Sequence, residues 1–413
     1  MRLDGWLLAL CLARSCMMAM FMSYAAVLPV LLTAWSMSAT MAGSISTGFQ
    51  AGYAVSLLVF SALADRLGAR RVFVWSSWLT AVSGLLFAFL ARSYVSGLIL
   101  YTLVAIANGG TYTTAIMLLA DRYPPARRGA AVGWLIASSS LGYALSLVLS
   151  GAALGWGGYP AAFVASACGP VVGAVIVGLA LRHTPNVVHA RHPESGFRTA
   201  VMKNPRAMRL MAGYTFHSWE LLGMWAWVPA FLAAAFVVVG TGTVRATESG
   251  AYVSASFHVM GLIASSSMGT LSDRLGRRTV LLALASISSA CSFVFGWLIG
   301  SPLALLVVVG AVYAFTALGD SPVLSTAFTE SVPPAYLGAG LALRSLLGFG
   351  AGAVAPLVFG AVLDATNVRG VTPAVWGWAF VTLGVGGVGA TWCALGLARD
   401  RAPRGAERAT VTP

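Results

Sequence analysis

The sequence predicts an all-α membrane protein: twelve transmembrane helices arranged as two parallel six-helix repeats. Three observations carry this. Only 9% of the 413 residues are charged and 58% are hydrophobic, whereas an ordinary soluble domain carries about 25% charged residues. Apolar runs recur along the whole chain, and a bilayer core about 30 Å thick needs about 20 apolar residues per spanning helix. The chain also repeats itself. Asp65 and Asp273 sit in near-identical loops 208 residues apart, and Pro124-Pro125 is echoed 209 residues later by Pro333-Pro334.

The spans can be taken in order. Span 1 (6–33) runs apolar from Trp6 to Trp35, longer than the 7–15 residue core of a cleaved signal. Spans 2 (44–63) and 3 (72–91) flank the first copy of the repeated loop, and spans 4 (95–119) and 5 (129–151) flank the first proline pair. Span 6 (159–181) closes an N-terminal bundle, residues 1–181. A basic, Pro- and His-containing linker follows, residues 182–209. Spans 7 (210–239), 8 (250–271), 9 (279–299), 10 (303–328), 11 (337–363) and 12 (373–397) repeat the pattern as a C-terminal bundle, residues 210–398, with a tail at 399–413. Six spans per unit is an even number, so both halves cross in the same sense. A transmembrane β-barrel would need segments of about ten residues with alternating polarity, and these runs are continuous.

Lys and Arg place the loops. With both termini cytoplasmic, the cytoplasmic segments hold 20 of the 25 Lys+Arg and the opposite face holds three, Arg92, Arg245 and Arg369. This is the positive-inside pattern of a bacterial-type cytoplasmic (inner) membrane. The net charge of +13 is thus topological, and no nucleic-acid partner is expected. The linker lies along anionic headgroups. Cys11, Cys16, Cys168, Cys291 and Cys393 all fall in spans, so no disulfide is expected. His183, His189 and His192 lack the Cys or acid partners of a metal site. No cofactor, metal or enzyme activity is expected, and a monomer in the lipid bilayer is the expected state.

The repeated loop reads Ser61-Ala-Leu63-Ala-Asp65-Arg66-Leu-Gly68-Ala69-Arg70-Arg71 and, in its second copy, Gly269-Thr-Leu271-Ser-Asp273-Arg274-Leu-Gly276-Arg277-Arg278. A tight reversal needs glycine, which tolerates positive φ and close backbone approach. A carboxylate is favoured near a helix N-terminus. Arginine binds carboxylates and headgroups in a fork. Two copies at these places in a twelve-span chain resemble the loop motif of the major facilitator superfamily, over the whole chain. The resemblance implies a conformational latch built from Asp65, Arg66, Gly68 and Arg70 and from Asp273, Arg274, Gly276, Arg277 and Arg278. Asp65 would meet the start of span 11 and Asp273 the start of span 5, holding the outward-facing state. It also implies a central cavity lined by spans 1, 4, 7 and 10 and flanked by 2, 5, 8 and 11. Two features depart from the drug–proton antiporters of that family. Their span-4 arginine position is Ala105 here, before Asn108-Gly109, and span 5 reads Ser138-Ser-Ser-Leu-Gly142-Tyr143 without proline.

Four charges lie inside spans: Arg14, Glu220, Asp320 and Arg344. Each costs at least about 2.5 kcal/mol at the bilayer centre. At about 1.5 Å per residue they sit about 12 to 16 Å from the cytoplasmic side, and two positive balance two negative. Mutual pairing across the cavity is therefore expected. Helical spacing groups Arg14 with Met17, Phe21 and Tyr24; His217 with Glu220 and Met224; Asp320 with Tyr313 and Thr316; Asn108 with Tyr112; Gln50 with Tyr53; and His258 with Ser254. Arg14, Tyr24, Gln50, Asn108, Tyr112, His217, Glu220, His258, Asp320 and Arg344 are the candidate substrate-binding or coupling residues. Glu220 is either a proton-carrying or substrate-contacting acid, or a permanent partner of an arginine or His217. Arg14 and Arg344 either capture an anion in their planar forks or neutralise the two acids.

The expected function is secondary transport of a small organic solute, an anion such as a carboxylate first, by alternating access with proton coupling. No nucleotide-binding motif is present. Efflux of multiple drugs or amphiphiles is the alternative, since methionine adapts to varied shapes. A copper importer is the minor one, because Cys11, Cys16, Met17, Met18, Met20 and Met22 crowd span 1 and soft ligands suit Cu(I).

Overall fold

A computed structural model describes residues 4–188, 198–333, 336–367 and 373–397. His189 and His192 of the linker, Arg369, Pro334 and the tail at 399–413 lie outside the described residues. The first half contains α1 (Gly5–Met18), α2 (Ser23–Ala34), α3 (Ala39–Leu67), α4 (Ala69–Leu90), α5 (Tyr94–Gly109), α6 (Thr113–Arg122) and α7 (Pro125–Ala180). The second contains α8 (Pro205–Val238), α9 (Thr243–Leu275), α10 (Arg277–Phe295), α11 (Leu303–Thr329), α12 (Leu337–Thr366) and α13 (Gly377–Leu395).

Twelve spans are recovered, with three adjustments. Among the described residues, ten helical segments are long and apolar enough to cross a membrane. One of them, Arg127–Ala180, leaves helical geometry at Gly157 and Gly158, where Gly158 has φ +68. A straight helix of that length would run about 80 Å, far more than a bilayer, so its two limbs are spans 5 and 6. The twelfth is α9, whose serines lower its mean hydropathy below that of its neighbours.

Two predicted spans are broken. Span 1 divides at Ala19–Met22 and span 4 at Gly110–Tyr112. At the first break the turns tighten to i→i−3 bonds, Ala19 N–H to Cys16 O and Phe21 N–H to Met18 O. The freed groups are taken by other helices: Tyr101 Oη donates to Phe21 O at 2.6 Å, and Met22 N–H donates to Ser146 Oγ at 3.1 Å. At the second break, a Cβ on Gly109 would collide with Ser56 and one on Gly110 with Ser76. Irregular backbone is tolerated at membrane depth only where neighbours satisfy it, and here they do.

The halves meet along two seams, α3 against α12 and α7 against α9. Both are tight on the side remote from the chain ends. A Cβ on Gly43 would strike the Pro356 carbonyl, one on Gly360 the Ala39 carbonyl, and one on Gly155 the Glu248 carboxylate. Thr47 Oγ1 donates to Ala353 O at 2.6 Å across the first seam. On the terminal side, Gly129, Gly133 and Gly338 have open space around them. The two halves are therefore closed against each other at the far side.

The two repeated loops fold alike. Gly68 and Gly276 both take φ +88 between consecutive helices, the backbone state glycine supplies without strain. Arg70 Nε donates to Leu181 O at 2.8 Å and Arg278 Nη2 to Leu395 O at 3.4 Å. Each arginine thus caps the C-terminal end of the last helix of its own half, where cations are favoured, rather than holding a carboxylate. Asp273 holds Arg277 at 2.6 Å, and Arg277 also reaches Glu330 at 2.8 Å. Asp65 and Arg274 are exposed. Neither Asp65 nor Asp273 meets the other half among the described residues. Among the described residues the latch contacts expected for the outward-facing state are not made, in a conformation whose far side is closed.

Candidate functional site

The α5–α6 break meets Arg14 of α1. Its side chain is 2% exposed. Nε donates to Ser139 Oγ of α7 at 2.9 Å and Nη1 to Thr111 Oγ1 at 2.7 Å. The guanidinium lies 5.2 Å from the Tyr112 ring centroid. Asn108 stands behind, its Oδ1 accepting from the Thr111 hydroxyl at 2.7 Å. The α5–α6 break thus presents Thr111 and Tyr112 sideways to the arginine, which a continuous helix would not do.

The second half supplies Arg344 from α12. Its Nη1 donates to Ser325 Oγ at 3.1 Å, and its guanidinium stacks 4.1 Å over Tyr214 and 5.7 Å from Phe328. Its Nε has no hydrogen-bond partner among the described residues. Tyr112 is within electrostatic reach of both Arg14 and Arg344, and of Tyr53 and Tyr214. Among the described residues neither arginine has a carboxylate at ion-pair distance. Two buried cations, one from each half, therefore each lie on a tyrosine ring, Arg14 on Tyr112 and Arg344 on Tyr214.

Aromatic rings roof this region and bridge the halves. Tyr143 of α7 lies 4.7 Å from Phe21 and 5.0 Å from Trp225 of α8, and Tyr53 lies 5.2 Å from Phe349 of α12. His258 is wedged 5.5 Å from Tyr143 and 5.2 Å from Trp225, with Nδ1 unpartnered. It lines a small apolar pocket with Met22 and Met224. Gln50 is buried with Oε1 unpartnered. Tyr24 stands apart. Its hydroxyl donates to Ala42 O at 3.1 Å and its ring packs on Tyr101 in the core of the first half.

The acids do not oppose the arginines. Glu220 Oε1 accepts from Ser288 Oγ of α10 at 2.9 Å, and a Cβ on Gly387 of α13 would lie 3.0 Å from Oε2. His217 Nδ1 lies 2.8 Å from Asp320 Oδ1, close enough for an ion pair, although the N–H is not aligned on that oxygen as a hydrogen bond. Glu220, His217 and Asp320 thus sit within the C-terminal bundle, between α8, α10, α11 and α13. The pairing expected across the cavity is replaced by two separate groups, because a polar stripe on α8 faces the bundle interior instead. The site residues missed in the sequence are Thr111, Ser139, Ser288, Ser325, Tyr143 and Tyr214. The serines and threonine carry no charge to mark them. Tyr214 was marked only by its spacing, one turn before His217.

Comparisons with known proteins agree with this architecture. The family model described as Major Facilitator Superfamily matches residues 10–247 and 243–412. The probable 4-methylmuconolactone transporter of Cupriavidus pinatubonensis is 24% identical over 324 residues, 74% of this chain and 71% of its own length. The probable anion transporter 4, chloroplastic, of Arabidopsis thaliana is 30% identical over 159 residues, 38% of this chain and 28% of its own length. Among solved structures, the nucleoside transporter NupG superposes with TM-score 0.71 at 12% identity, covering 95% of this chain and 98% of that one. A bacterial homolog of the human lysosomal transporter Spinster, in an inward-facing and occupied conformation, gives TM-score 0.70 at 19% identity, with 94% of each chain covered. At these identities the structures show a shared fold.

Proposed function

The chain belongs to the major facilitator superfamily and is a transporter of that type; from that premise we propose that it carries a small organic anion, a carboxylate first, by alternating access. The observation that carries this reading is the pair of buried arginines, Arg14 and Arg344, one from each half, with no carboxylate at ion-pair distance among the described residues. A buried cation without a counter-charge is costly, and an anion held by these forks relieves it with charge-assisted hydrogen bonds. The aromatic roof of Phe21, Tyr53, Tyr143, Trp225 and Phe349 suits a flat apolar body. The relatives named for an organic lactone and for anions support the same class. The basic loops support a cytoplasmic location for the terminal side, and on that reading the closed far side faces outward.

The test is uptake into proteoliposomes across a panel of carboxylic acids, with and without a pH gradient. Arg14→Ala and Arg344→Ala each abolish uptake of the transported acid. Full transport by both variants overturns the anion site. One observation favours the copper reading in second place: Met22, Met224 and His258 line one pocket. Unchanged whole-cell copper in a deletion strain sinks it.

A further inference from the structure

Helix α8 carries Trp219, Trp225 and Trp227, and their indole N–H groups are not treated alike. Trp219 Nε1 donates to Thr382 O at 2.9 Å and Trp227 Nε1 to Pro356 O at 3.0 Å. Trp225, between them, has a buried Nε1 with no hydrogen-bond partner among the described residues. Its ring lies 5.2 Å from the imidazole of His258 on α9. His258 is 5% exposed, and its Nδ1 is likewise unpartnered among the described residues. His217, by contrast, has Asp320 at 2.8 Å. An indole N–H can only donate, and a neutral imidazole offers one donor and one acceptor. A buried polar group left unpaired is costly, and here two of them meet at one place.

Trp225 and His258 line one pocket with Met22, Met224, Ser254 and Leu318. It has room for about one water-sized group. Ser254 supplies no donor to it, because its hydroxyl already donates to Gly250 O at 2.7 Å. Among the described residues no Lys, Arg, Asp or Glu lines the pocket, and the rest of its wall is thioether and hydrocarbon. A carboxylate would be buried there without a counter-charge, whereas a neutral oxygen would be satisfied. Tyr143 joins this pocket to the anion site. Its ring lies 5.5 Å from His258 and 5.0 Å from Trp225, and its phenol is within electrostatic reach of Arg14. A flat body lying along Tyr143 has one end towards Arg14 and the other towards His258.

We propose that Trp225 and His258 are specificity-determining residues that bind a neutral oxygen, a hydroxyl or a carbonyl, at the end of the substrate opposite its carboxylate. The inference rests on the anion-transport reading. A hydroxyl satisfies both groups at once, accepting from Trp225 Nε1–H and donating to His258 Nδ1. A carbonyl oxygen accepts from both when the imidazole carries its proton on Nδ1. The substrate class narrows to hydroxy- and oxo-acids with a flat body between the two functions. A site built to pair a hydroxyl rejects the analogue that lacks it, because its own buried groups are then left unpaired. A diacid is rejected for the opposite reason, since its second charge finds no cation in the pocket.

The experiment is calorimetric binding of benzoate, 4-hydroxybenzoate and terephthalate to the purified protein. Wild type binds 4-hydroxybenzoate at least about tenfold more tightly than either of the others. His258→Leu and Trp225→Phe each reduce the preference for 4-hydroxybenzoate over benzoate to about threefold or less. The readout is the ratio within each variant, so a general loss of affinity does not mimic it. Equal binding of benzoate and 4-hydroxybenzoate by wild type means that water satisfies the pocket, which overturns the oxygen site and leaves the anion site standing. A full preference kept by both variants, or tightest binding of terephthalate, overturns it as well. Should His258→Leu fail to fold, Trp225→Phe, which keeps an aromatic ring, decides the same point, and the wild-type comparison depends on neither. Binding of none of the three acids by wild type overturns the anion reading for these acids, and the oxygen site with it.

Discussion

Asp364 of α12 caps α3 across the seam between the two halves, through Thr40. Its Oδ2 accepts from the Thr40 hydroxyl at 2.6 Å and the Thr40 N–H at 2.8 Å, and its Oδ1 accepts from the Ala39 N–H at 2.9 Å. A carboxylate at a helix N-terminus satisfies orphan N–H groups and complements the dipole. This cap belongs to the other half, so it exists only while the far side is closed. Losing a cap costs about 1 kcal/mol. Asp364→Ala therefore shifts the balance about fivefold towards the far-side-open form. Spin labels on cysteines replacing Arg92 and Thr243, in a background freed of native cysteines, read this as a longer distance. An unchanged distance distribution removes the cap from the gate.

The same cap has a defined pH range. Burial pulls the Asp364 carboxyl upward, but the Thr40 hydroxyl and the N–H groups of Thr40 and Ala39 outweigh it and hold it below its ordinary 3.8. A group lowered in the closed form stabilises closure fully above its open-form value, and the effect fades as pH falls through the closed-form value. Far-side closure is thus flat between about pH 5 and 8 and weakens below about 4. A midpoint near neutrality in the spin-label distances contradicts this.

Gly360 and Gly43 let the seam close. A side chain at either position meets backbone carbonyls of the opposite helix, which cannot move aside as a side-chain tip can. Gly360→Val holds the far side ajar and lowers transport at least tenfold, while Gly350→Ala, with open space around it, is neutral. Overpacking of this kind costs about 1–3 kcal/mol, readable as a lower thermal midpoint. Equal transport rates in both variants would count against the closed seam.

Lysine will not replace Arg14. Nε and Nη1 engage Ser139 and Thr111 at the same time, which an ammonium on a flexible stem cannot reproduce. Arg14→Lys weakens binding of the transported anion at least tenfold, and Thr111→Val, which removes one acceptor, weakens it less. Wild-type affinity in Arg14→Lys shows that only charge matters there.

Arg70 and Arg278 act as helix caps in this conformation. Arg70→Ala and Arg278→Ala each lower stability by about 0.5–1 kcal/mol, measured by thermal unfolding in detergent. Asp65→Asn leaves the thermal midpoint unchanged, because Asp65 is exposed and has no partner among the described residues. A loss in Asp65→Asn matching that of Arg70→Ala would mean that the latch is already made.

The spans were legible because hydropathy and a duplicated loop are properties of the chain itself, and the positive φ of Gly68 and Gly276 follows from the same loop. Three things were not. The breaks near Met20 and Thr111 depend on Tyr101, Ser146 and Ser76, which lie far away in sequence. The depth of Glu220 was readable, but its direction was not: periodicity groups it with His217 without saying whether that stripe meets water or the bundle interior. Arg14 looks for an acid when counted, yet Ser139 and Thr111 hold it, and uncharged hydroxyls leave no mark in a charge balance.

The serine-rich helix α9 has a consequence for how the protein enters the membrane. Ser254, Ser256, Ser266 and Ser267 each donate to a carbonyl three or four residues earlier in their own helix. Their hydroxyls reach the bilayer already satisfied, so a scale that charges every serine as a bare polar group overstates the barrier. The insertion machinery would meet α9 as a marginal segment whose hydrogen bonds form only once the helix has formed.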